Sequence, residues 1–464
     1  MKPGIELNGK RVLVVGLART GIATALFCAG RGAQVTATEG RAEADIAEAA
    51  GKLRSVGVVL ELGGHREETF LRQDLIIPSP GVPANMAHLE AARAARIPVW
   101  SEIELAWRFL RGRLVAITGS NGKTTTTSLI GHILENANIP AIVAGNIGTP
   151  LISRVEETSD STVTVAEVSS FQLELIDKFR PDIGLLLNVT PDHLDRHASL
   201  EAYGRAKARL FENQVEADAA ILNTDDAAAA QFAPSRPRVF WFSRTKRVAR
   251  GIFLRENDIV LRDDGAETVL LHRGDIGLRG EHNVENVLAA AGAAFLAGAS
   301  PAAITRAVKS FAGVEHRLEF VAEIDGVSYF NDSKATNVDA TLKALDAFPG
   351  NLFVILGGKD KGGDFTLLRE PLHQRAKVAL LIGAAAEKIA SQIKGSVPIE
   401  SVGTIERAVA RAAEIARSGD TVLLAPACAS FDQFHNFEHR GRTFKQRVRL
   451  LEEEFAAGGR ARAS

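Results

Sequence analysis

The sequence predicts an α/β protein of three domains, and three observations support this prediction. The length of 464 residues corresponds to about three domains of ~150 residues each. Apolar strands alternate with helical stretches along the chain, which is typical of parallel sheets covered by helices. Glycine-containing turns follow predicted strands at 16–21, 119–122 and 357–358. We therefore expect an N-terminal Rossmann-like domain, a central domain with the parallel sheet of a P-loop ATPase, and a C-terminal Rossmann-like, doubly wound domain. The expected boundaries are 1–110, 111–313 and 314–464.

Composition excludes several classes of protein. The 55 basic and 56 acidic side chains give a net charge of -1, so no overall charge draws the chain to nucleic acid or to a membrane surface. No apolar run approaches the ~18 residues of a membrane-spanning helix, and the N-terminus lacks the apolar stretch of a signal peptide. We expect a cytoplasmic location. Cys28 and Cys428 are far apart in sequence, and we expect both to be small buried residues rather than disulfide or metal ligands.

The N-terminal domain opens with the start of a dinucleotide-type βαβ unit. A strand at Arg11 to Val15 leads into the turn Gly16 to Gly21, a helix and a second strand at Val35 to Thr38. Ala18 replaces the middle glycine of the fingerprint, which weakens the alternative hypothesis of a nicotinamide-dependent oxidoreductase. Glu39 ends the second strand, where it is either a ribose ligand or simply an acidic residue at a strand end.

The central domain begins with a phosphate-binding loop. The strand Leu114 to Thr118 runs into Gly119-Ser120-Asn121-Gly122-Lys123-Thr124, and a helix follows. The glycines leave backbone N–H groups free to face phosphates, Lys123 can reach the β- and γ-phosphates, and Thr124 can bind Mg²⁺. A first glycine at the usual P-loop spacing would fall at Ile117, so this loop is shorter. The alternative is a structural turn with a solvated lysine.

Further strands of the central domain end in polar residues. Strands are predicted at Val163 to Val168, Ile183 to Asn188 and Ala219 to Asn223. Two short strands at 252–261 and 268–271, with Asp264-Gly265 between them, predict a hairpin. Glu167 lies at a strand end, where a carboxylate can meet a metal bound at the nucleotide. His193, within Asp192-His193-Leu194-Asp195, is predicted as a second candidate ligand at the same edge, with loop capping as the alternative. In the C-terminal domain, strands are predicted at 352–356, 378–382 and 421–425.

Taken together, these motifs resemble the Mur ligase family. The resemblance is carried by Gly119 to Thr124, Glu167-Val168-Ser169-Ser170-Phe171-Gln172-Leu173 and Asn188-Val189-Thr190-Pro191-Asp192-His193-Leu194-Asp195. Within the family, Asn331 to Asn337 and Ala425 to Phe434 are similar to the members that add D-glutamate to UDP-N-acetylmuramoyl-L-alanine. The resemblance covers all three domains. It implies an ATP-dependent amide ligase of cytoplasmic peptidoglycan synthesis, acting through an acyl phosphate that the amine of D-glutamate attacks.

The resemblance also implies a set of nucleotide and metal ligands. Lys123 and Thr124 would hold the triphosphate and one Mg²⁺, Glu167 would complete that site, and His193 would serve a second Mg²⁺. Lys207 matches the lysine that the family carries as a carbamate formed with CO₂, although from the residues alone it would be a solvated helix lysine. Asn283 and Asn286 would meet the adenine; without the resemblance they would be a helix cap and a surface amide. Arg317 and Asp332 would close onto ATP.

The two remaining substrates are assigned in the same way. The resemblance places near the UDP-linked substrate Arg19, Thr20, Ser79, Gly81, Asn146 and His193. Around D-glutamate, the resemblance places six residues: Lys334, Thr336, Lys361, Ser430, Phe431 and Phe437. Lys361, and not Lys359, is assigned to this pocket because of its position in the register of the family motif. Glu39 stands where other family members have an arginine. We also expect a monomer with no nucleic-acid partner and no membrane insertion.

Three alternatives remain open from the sequence. A related Mur or folylpolyglutamate ligase would add a different amino acid, and Asn331 to Asn337 argues against it because relatives carry other sequences there. A nicotinamide-dependent oxidoreductase would bind NADH rather than ATP. A purely structural or regulatory protein would leave the polar strand ends unexplained.

Overall fold

The computed structural model describes residues 4–146, 148–192, 196–278 and 280–462. Its secondary structure is that of an α/β protein with largely parallel sheets, so the predicted class is confirmed. The chain forms two compact units, Met1–Ile276 with His282–Phe311, and Gly277–Glu281 with Ala312–Ser464. The first unit contains two sheets and the second contains one.

The first sheet has four parallel strands, and its helices follow the strands in sequence. The strands are β1 (Arg11–Val15), β2 (Gln34–Glu39), β3 (Val59–Leu62) and β4 (Leu75–Pro78). The helices are α1 (Arg19–Gly30), α2 (Ala47–Arg54), α3 (Glu67–Leu71), α4 (Ala87–Ala94) and α5 (Glu102–Phe109). The order β3-β2-β1-β4 places the glycine turn after β1 and the end of β4 side by side. All residues of β1 after Arg11 are buried, as expected for a strand covered on both faces.

The second sheet has nine strands in the order β13-β12-β11-β10-β9-β8-β5-β7-β6. The strands are β5 (Arg113–Thr118), β6 (Ala141–Gly145), β7 (Val163–Glu167), β8 (Ile183–Leu186), β9 (Ala219–Asn223), β10 (Arg238–Ser243), β11 (Gly251–Arg255), β12 (Asp258–Asp263) and β13 (Ala266–His272). The helices are α6 (Lys123–Asn136), α7 (Ser170–Leu173), α8 (Leu200–Ala208), α9 (Ala227–Ala230), α10 (Glu281–Leu296) and α11 (Pro301–Ser310). Because β5 lies between β7 and β8, the loops after these three strands meet at one edge.

The predicted hairpin at Asp264-Gly265 is confirmed as the antiparallel pair β12 and β13, but its first strand was predicted too long. The stretch expected as its first strand forms β11 and β12, which are joined by a turn at Glu256 with a φ of +55°, and both belong to the nine-stranded sheet. Apolar residues on both sides of this short turn hide it in the sequence. Both β12 and β13 run antiparallel to their neighbours.

The second unit contains a six-stranded sheet in the order β14-β15-β19-β16-β17-β18. The strands are β14 (Glu319–Ile324), β15 (Val327–Asn331), β16 (Leu352–Gly357), β17 (Ala376–Ile382), β18 (Ile399–Gly403) and β19 (Thr421–Leu424). The helices are α12 (Val338–Asp346), α13 (Arg369–Arg375), α14 (Ala386–Gln392), α15 (Ile405–Ile415) and α16 (Phe437–Arg462). The hairpin of β14 and β15 was not predicted, although its Asp325-Gly326 turn, with φ values of +51° and +72°, is a recognisable signal.

Candidate active site

The phosphate-binding loop joins β5 to α6 as the sequence predicts. Gly122 has a φ of +82°, and a Cβ there would lie 2.2 Å from Oδ1 of Asn286, so both backbone conformation and space require glycine. Ser120 Oγ donates to the carbonyl of Thr190 at 2.9 Å, and the N–H of Asn121 donates to Asn188 Oδ1 at 2.8 Å. The loop after β8 thus fixes the shape of the phosphate loop.

Two lysine ammonium groups converge on this loop. Lys123 Nζ donates to the carbonyls of Gly119 and Ser120 at 2.8 and 2.9 Å. Lys207 Nζ, from α8, donates to the same Gly119 carbonyl at 2.9 Å and lies 4.1 Å from the ring centroid of Tyr203. Both side chains therefore meet at one backbone carbonyl of the phosphate-binding loop.

Lys207 is only 1% exposed, so the alternative of a solvated helix lysine is wrong. Burial, with the charge of Lys123 as a second cause, lowers the pKa of Lys207 well below its usual value, while Asp192 and Glu167 oppose the change. A neutral amine at this position is therefore much easier to form than on the protein surface.

Oxygen and amide groups meet at the end of β7. Thr124 Oγ1 donates to Glu167 Oε2 at 2.8 Å, and Asn146 Nδ2 donates to Glu167 Oε1 at 3.0 Å. The N–H of Asn146 also donates to the carbonyl of Glu167 at 2.8 Å. Hydroxyl and carboxylate oxygens are ligands that Mg²⁺ accepts, so the pair Thr124 and Glu167 fits this ion. Among the described residues, no three His, Cys, Asp or Glu side chains cluster to hold a metal. His193 lies outside the described residues.

Both asparagines assigned to the adenine are buried in α10. Asn283 and Asn286 are 8% and 5% exposed, so the alternative of a helix cap and a surface amide is wrong. Asn286 Nδ2 donates to Asn283 Oδ1 at 2.9 Å, and Asn286 Oδ1 accepts from Thr126 Oγ1 at 3.3 Å. These bonds join α10 to the helix that follows the phosphate loop.

The first sheet presents a second glycine turn, which Glu39 and Arg41 shape. Glu39 Oε2 accepts from the N–H of Leu17 at 2.8 Å and from Arg41 at 2.9 Å. The hydrogen bond from Arg41 is the largest cause that lowers the pKa of Glu39 to about 2. Ser79 Oγ donates to the carbonyl of Gly16 at 2.7 Å, which ties the end of β4 to the turn. Arg41 was not singled out in the sequence, because nothing local shows that it reaches Leu17.

Other residues assigned to the UDP-linked substrate lie around these loops. Arg19 is exposed, and its guanidinium donates to the carbonyl of Gly148 at 2.7 Å, whereas the carbonyl of Thr20 accepts within α1 from Thr24. Gly81 is exposed. Arg196 was missed by the sequence analysis.

Arg196 connects the first two sheets. It donates to the carbonyls of Pro80 and Val82 at 2.9 and 3.2 Å and to Glu174 at 2.7 Å. Its guanidinium carbon also lies 4.1 Å from the ring centroid of Phe171.

In the second unit, Asp332 follows β15 and is buried. Burial raises the pKa of Asp332 to about 7, while the charge of Arg317 and the N–H of Leu318 oppose the increase. Lys334 lies on the next turn of chain, with Nζ 3.9 Å from the ring centroid of Phe437. The carbonyl of Lys334 accepts from the N–H of Thr336 at 2.8 Å.

Ser430 and Phe431, two residues assigned to D-glutamate, lie beside the loop that carries Lys359 and Lys361. Ser430 is 2% exposed, whereas the neighbouring Phe431 is 65% exposed. The backbones of Lys359 and Ala429 exchange hydrogen bonds of 2.8 and 3.1 Å, which places the lysine-containing loop beside Ser430. Lys359 and Lys361 are both exposed.

Arg440 was missed by the sequence analysis, although it is fully buried. It donates to the hydroxyl and carbonyl of Ser333 at 3.0 and 2.8 Å and to the carbonyl of Cys428 at 3.1 Å. Burial lowers the pKa of Arg440 to about 10. Its guanidinium therefore ties the segment of Lys334 to the segment of Ser430. Cys28 and Cys428 are free and buried, as predicted.

Comparisons with known proteins find similar sequences along nearly the whole chain. Three family models match: the Mur ligase MurD-like N-terminal domain at 10–101, the Mur ligase middle domain at 117–294 and the Mur ligase glutamate ligase domain at 316–428. A UDP-N-acetylmuramoylalanine--D-glutamate ligase of Koribacter versatilis is 51% identical over 97% of this chain and 99% of that protein. A protein of the same name from Acidobacterium capsulatum is 53% identical over 96% of this chain and 97% of its own length.

A solved structure shows the same fold. The MurF ligase of Thermotoga maritima, solved in complex with ADP, has a TM-score of 0.59 at 17% identity and covers 97% of this chain and 98% of its own. No helix in the described part of this chain is long and apolar enough to cross a membrane. With three family models in order along the sequence and relatives of this identity over nearly its whole length, the chain belongs to the Mur ligase family.

Proposed function

We propose that this chain catalyses the ATP-dependent addition of D-glutamate to UDP-N-acetylmuramoyl-L-alanine in peptidoglycan precursor synthesis, and thereby serves cell wall biogenesis, cell shape and cell division. The observation that carries the proposal is the identity of 51% and 53% to two relatives named for this reaction, over almost the full length of the chain. The contact between Thr124 and Glu167 beside the phosphate loop supports the use of ATP. We further propose that the enzyme acts in the cytoplasm as a monomer, with small-molecule substrates only.

Each of the three domains is proposed to bind one of the three substrates. Residues 1–110 bind the UDP-linked substrate, 111–313 bind ATP and 314–464 bind the amino acid. The four-, nine- and six-stranded sheets lie within these ranges in that order, which supports the division.

The nucleotide site is proposed to lie along the loop between β5 and α6. Backbone N–H groups of the loop and the ammonium of Lys123 face the phosphates, and Asn283 and Asn286 meet the adenine. Arg317 and Asp332 are proposed to contact the same nucleotide. The ATP ligands are therefore proposed to be Gly119, Ser120, Asn121, Gly122, Lys123, Thr124, Asn283, Asn286, Arg317 and Asp332.

Two Mg²⁺ ions are proposed to act at this site. Thr124 and Glu167 hold the first, and His193 with a carbamate on Lys207 holds the second. When bound, the ions neutralise charge on the transferring phosphoryl group. Carbamate formation requires a neutral amine, and burial beside Lys123 favours that state of Lys207.

The proposed reaction has two steps, phosphoryl transfer and amide formation. First, a carboxylate oxygen of UDP-N-acetylmuramoyl-L-alanine attacks the γ-phosphorus, the bond to the bridging oxygen breaks and ADP leaves. Second, the neutral amine of D-glutamate attacks the acyl carbon, phosphate leaves and the nitrogen loses a proton. Lys123 stabilises charge on the phosphoryl oxygens in the first step, so the work of the protein is positioning and charge neutralisation.

The sites for the UDP-linked substrate and for D-glutamate are proposed on separate groups of residues. Asn146, whose amide binds Glu167, faces the muramoyl end of the substrate, while Arg19, Thr20, Ser79 and Gly81 lie near the UDP moiety. Lys334, Thr336, Lys361, Ser430, Phe431 and Phe437 form the D-glutamate pocket. The nearness of Lys334 to Phe437 supports this pocket, because an ammonium among partly apolar groups suits a dicarboxylate amino acid.

A panel of amino acids tests the proposal. Phosphate release is measured with ATP, Mg²⁺ and UDP-N-acetylmuramoyl-L-alanine, and each amino acid is added in turn. We expect activity with D-glutamate and little with L-glutamate, L-alanine or meso-diaminopimelate. Equal activity with L-alanine would reject the assigned substrate, and tight NADH binding without ATP binding would reject the enzyme class.

A further inference from the structure

Glu102 is a buried carboxylate at the start of α5, in the stretch of chain that leads from the first sheet to the second. It is 1% exposed. Oε1 accepts from the backbone N–H of Ile152 at 2.7 Å, and the side chain of Gln172 and the backbone N–H of Leu151 also interact with the carboxyl. Burial raises the pKa of Glu102 to about 7, against the effects of the Ile152 N–H, the Gln172 side chain and the Leu151 N–H. Burial of this carboxylate costs more than these contacts return, because its pKa is still raised, so the stability of the fold does not explain its presence.

On one side, Glu102 holds the segment that carries Asn146. Ile152 is the second residue of the 3-10 helix Leu151–Glu157, which begins shortly after Asn146. Upstream, the N–H of Gly145 donates to the carbonyl of Thr149 at 2.9 Å and closes this segment into a loop. The bond from Glu102 to Ile152 therefore fixes the downstream end of the loop.

On the other side, Glu102 faces the segment that carries Glu167. The side chain of Gln172 lies near enough to the carboxyl to lower its pKa by hydrogen bonding. Gln172 Oε1 accepts from the N–H and the hydroxyl of Ser169 at 3.0 and 3.1 Å, and Ser169 Oγ accepts from the N–H of Gln172 in return. This capping box fixes the turn that begins two residues after Glu167.

We infer that Glu102 is a positioning residue: its carboxyl sits between the segments of Asn146 and Glu167 and keeps these two side chains in contact. The reach of the side chain matters for this role, because the bond to Ile152 spans the gap from α5 to the loop. Because Glu102 is 1% exposed, it is inferred to act through these two segments and not by contact with a ligand. The inference rests on the proposed roles of Asn146 and Glu167.

Two variants of Glu102 distinguish the effect of side-chain length from the effect of side-chain charge. Glu102→Asp keeps the charge but shortens the side chain, so the bond to Ile152 is lost. We expect its KM for UDP-N-acetylmuramoyl-L-alanine to rise about tenfold, the usual effect of losing one buried hydrogen bond, with the KM for D-glutamate changing less than about twofold. Glu102→Gln keeps an acceptor at the same distance and should recover most of the affinity.

A control variant is available on the same helix. Glu104 is equally buried, but its Oε2 accepts from the backbone N–H groups of Asp177, Lys178 and Phe179 and not from the Asn146 loop. Glu104→Asp should lower the thermal midpoint without raising the KM for the UDP-linked substrate. Hydrogen exchange of a peptide covering 148–152 should be faster in Glu102→Asp alone.

The outcomes are distinct. Equal effects of Glu102→Asp and Glu104→Asp on KM and on hydrogen exchange would overturn the inference, since a general loss of stability would then explain both. An Asn146→Ala enzyme with a raised KM, beside an unchanged Glu102→Asp enzyme, would overturn the positioning role alone. An unchanged KM in Asn146→Ala would instead refute the proposed substrate contact.

Discussion

The stability of the first compact unit should depend on pH through Glu102, and replacing this residue by glutamine should remove that dependence. The pKa of its carboxyl rises from an ordinary value of 4.5 to about 7 on burial. Because the folded pKa lies above the unfolded one, the carboxyl adds no penalty below pH 4.5; the free energy of unfolding then falls as the pH rises from 4.5 through 7, and the loss is complete above pH 7. Each pKa unit corresponds to about 1.4 kcal/mol, so the penalty above pH 7 is about 3 kcal/mol.

Glu102→Gln carries no charge at any pH and keeps an oxygen for the Ile152 N–H. The variant and the parent should therefore have similar free energies of unfolding near pH 5, and at pH 8 the variant should be more stable by about 3 kcal/mol. All three tryptophans, Trp100, Trp107 and Trp241, lie in the first unit, so urea unfolding followed by tryptophan fluorescence reports on it.

A matched control is Glu157→Gln, which removes a carboxylate that is 51% exposed and pairs with Arg154 at the surface. The free energy of unfolding of Glu157→Gln should stay close to that of the parent at every pH. The assay compares parent, Glu102→Gln and Glu157→Gln at pH 5, 6, 7 and 8. If the free energies of unfolding of Glu102→Gln and the parent differed by the same amount at pH 5 and pH 8, the reasoning would be refuted. The carboxyl of Glu102 would then have the same pKa in the folded and unfolded states.

Three further predictions concern catalysis. Lys123→Ala removes the ammonium that faces the phosphates and should lower turnover about 1,000-fold with an unchanged circular dichroism spectrum; an active variant would show that the loop is structural. Lys207→Ala should be nearly inactive and partly rescued by short carboxylic acids, which supply oxygen donors in the vacated space, whereas full activity without them would contradict the carbamate. Ser430→Ala and Thr336→Ala should raise the KM for D-glutamate more than that for ATP, and steady-state kinetics giving the reverse order would move the pocket elsewhere.

Local patterns were sufficient to predict the phosphate loop and most of the strands around it. Gly119 to Thr124 is one short stretch whose chemistry lies in its own residues, and alternation of apolar strands with helices indicates a parallel sheet. The strands at Arg11–Val15 and Ala219–Asn223 have the predicted bounds. Where a turn has no marked signal, as at Glu256, the strand count was wrong.

Burial and partners were not predictable from single positions. Lys207 and Arg440 carry charges that a sequence places at the surface, yet packing buries both of them. Arg41 reaches Leu17 only because β1 and β2 pair in the parallel register of the first sheet. These features depend on groups that are distant in sequence.

By itself, the sequence determined the α/β class, the order of its nucleotide-type units and the residues of the phosphate loop, because backbone propensity, apolar periodicity and the glycines act over a few neighbouring positions. Only the tertiary structure decided which polar groups meet. It brought Thr124 to Glu167, Lys207 to Gly119 and Glu102 to Ile152, each across at least 43 residues of chain. The physical reason is that hydrogen bonds and pKa values inside a protein depend on the burial and neighbours that packing creates, and no local pattern specifies these.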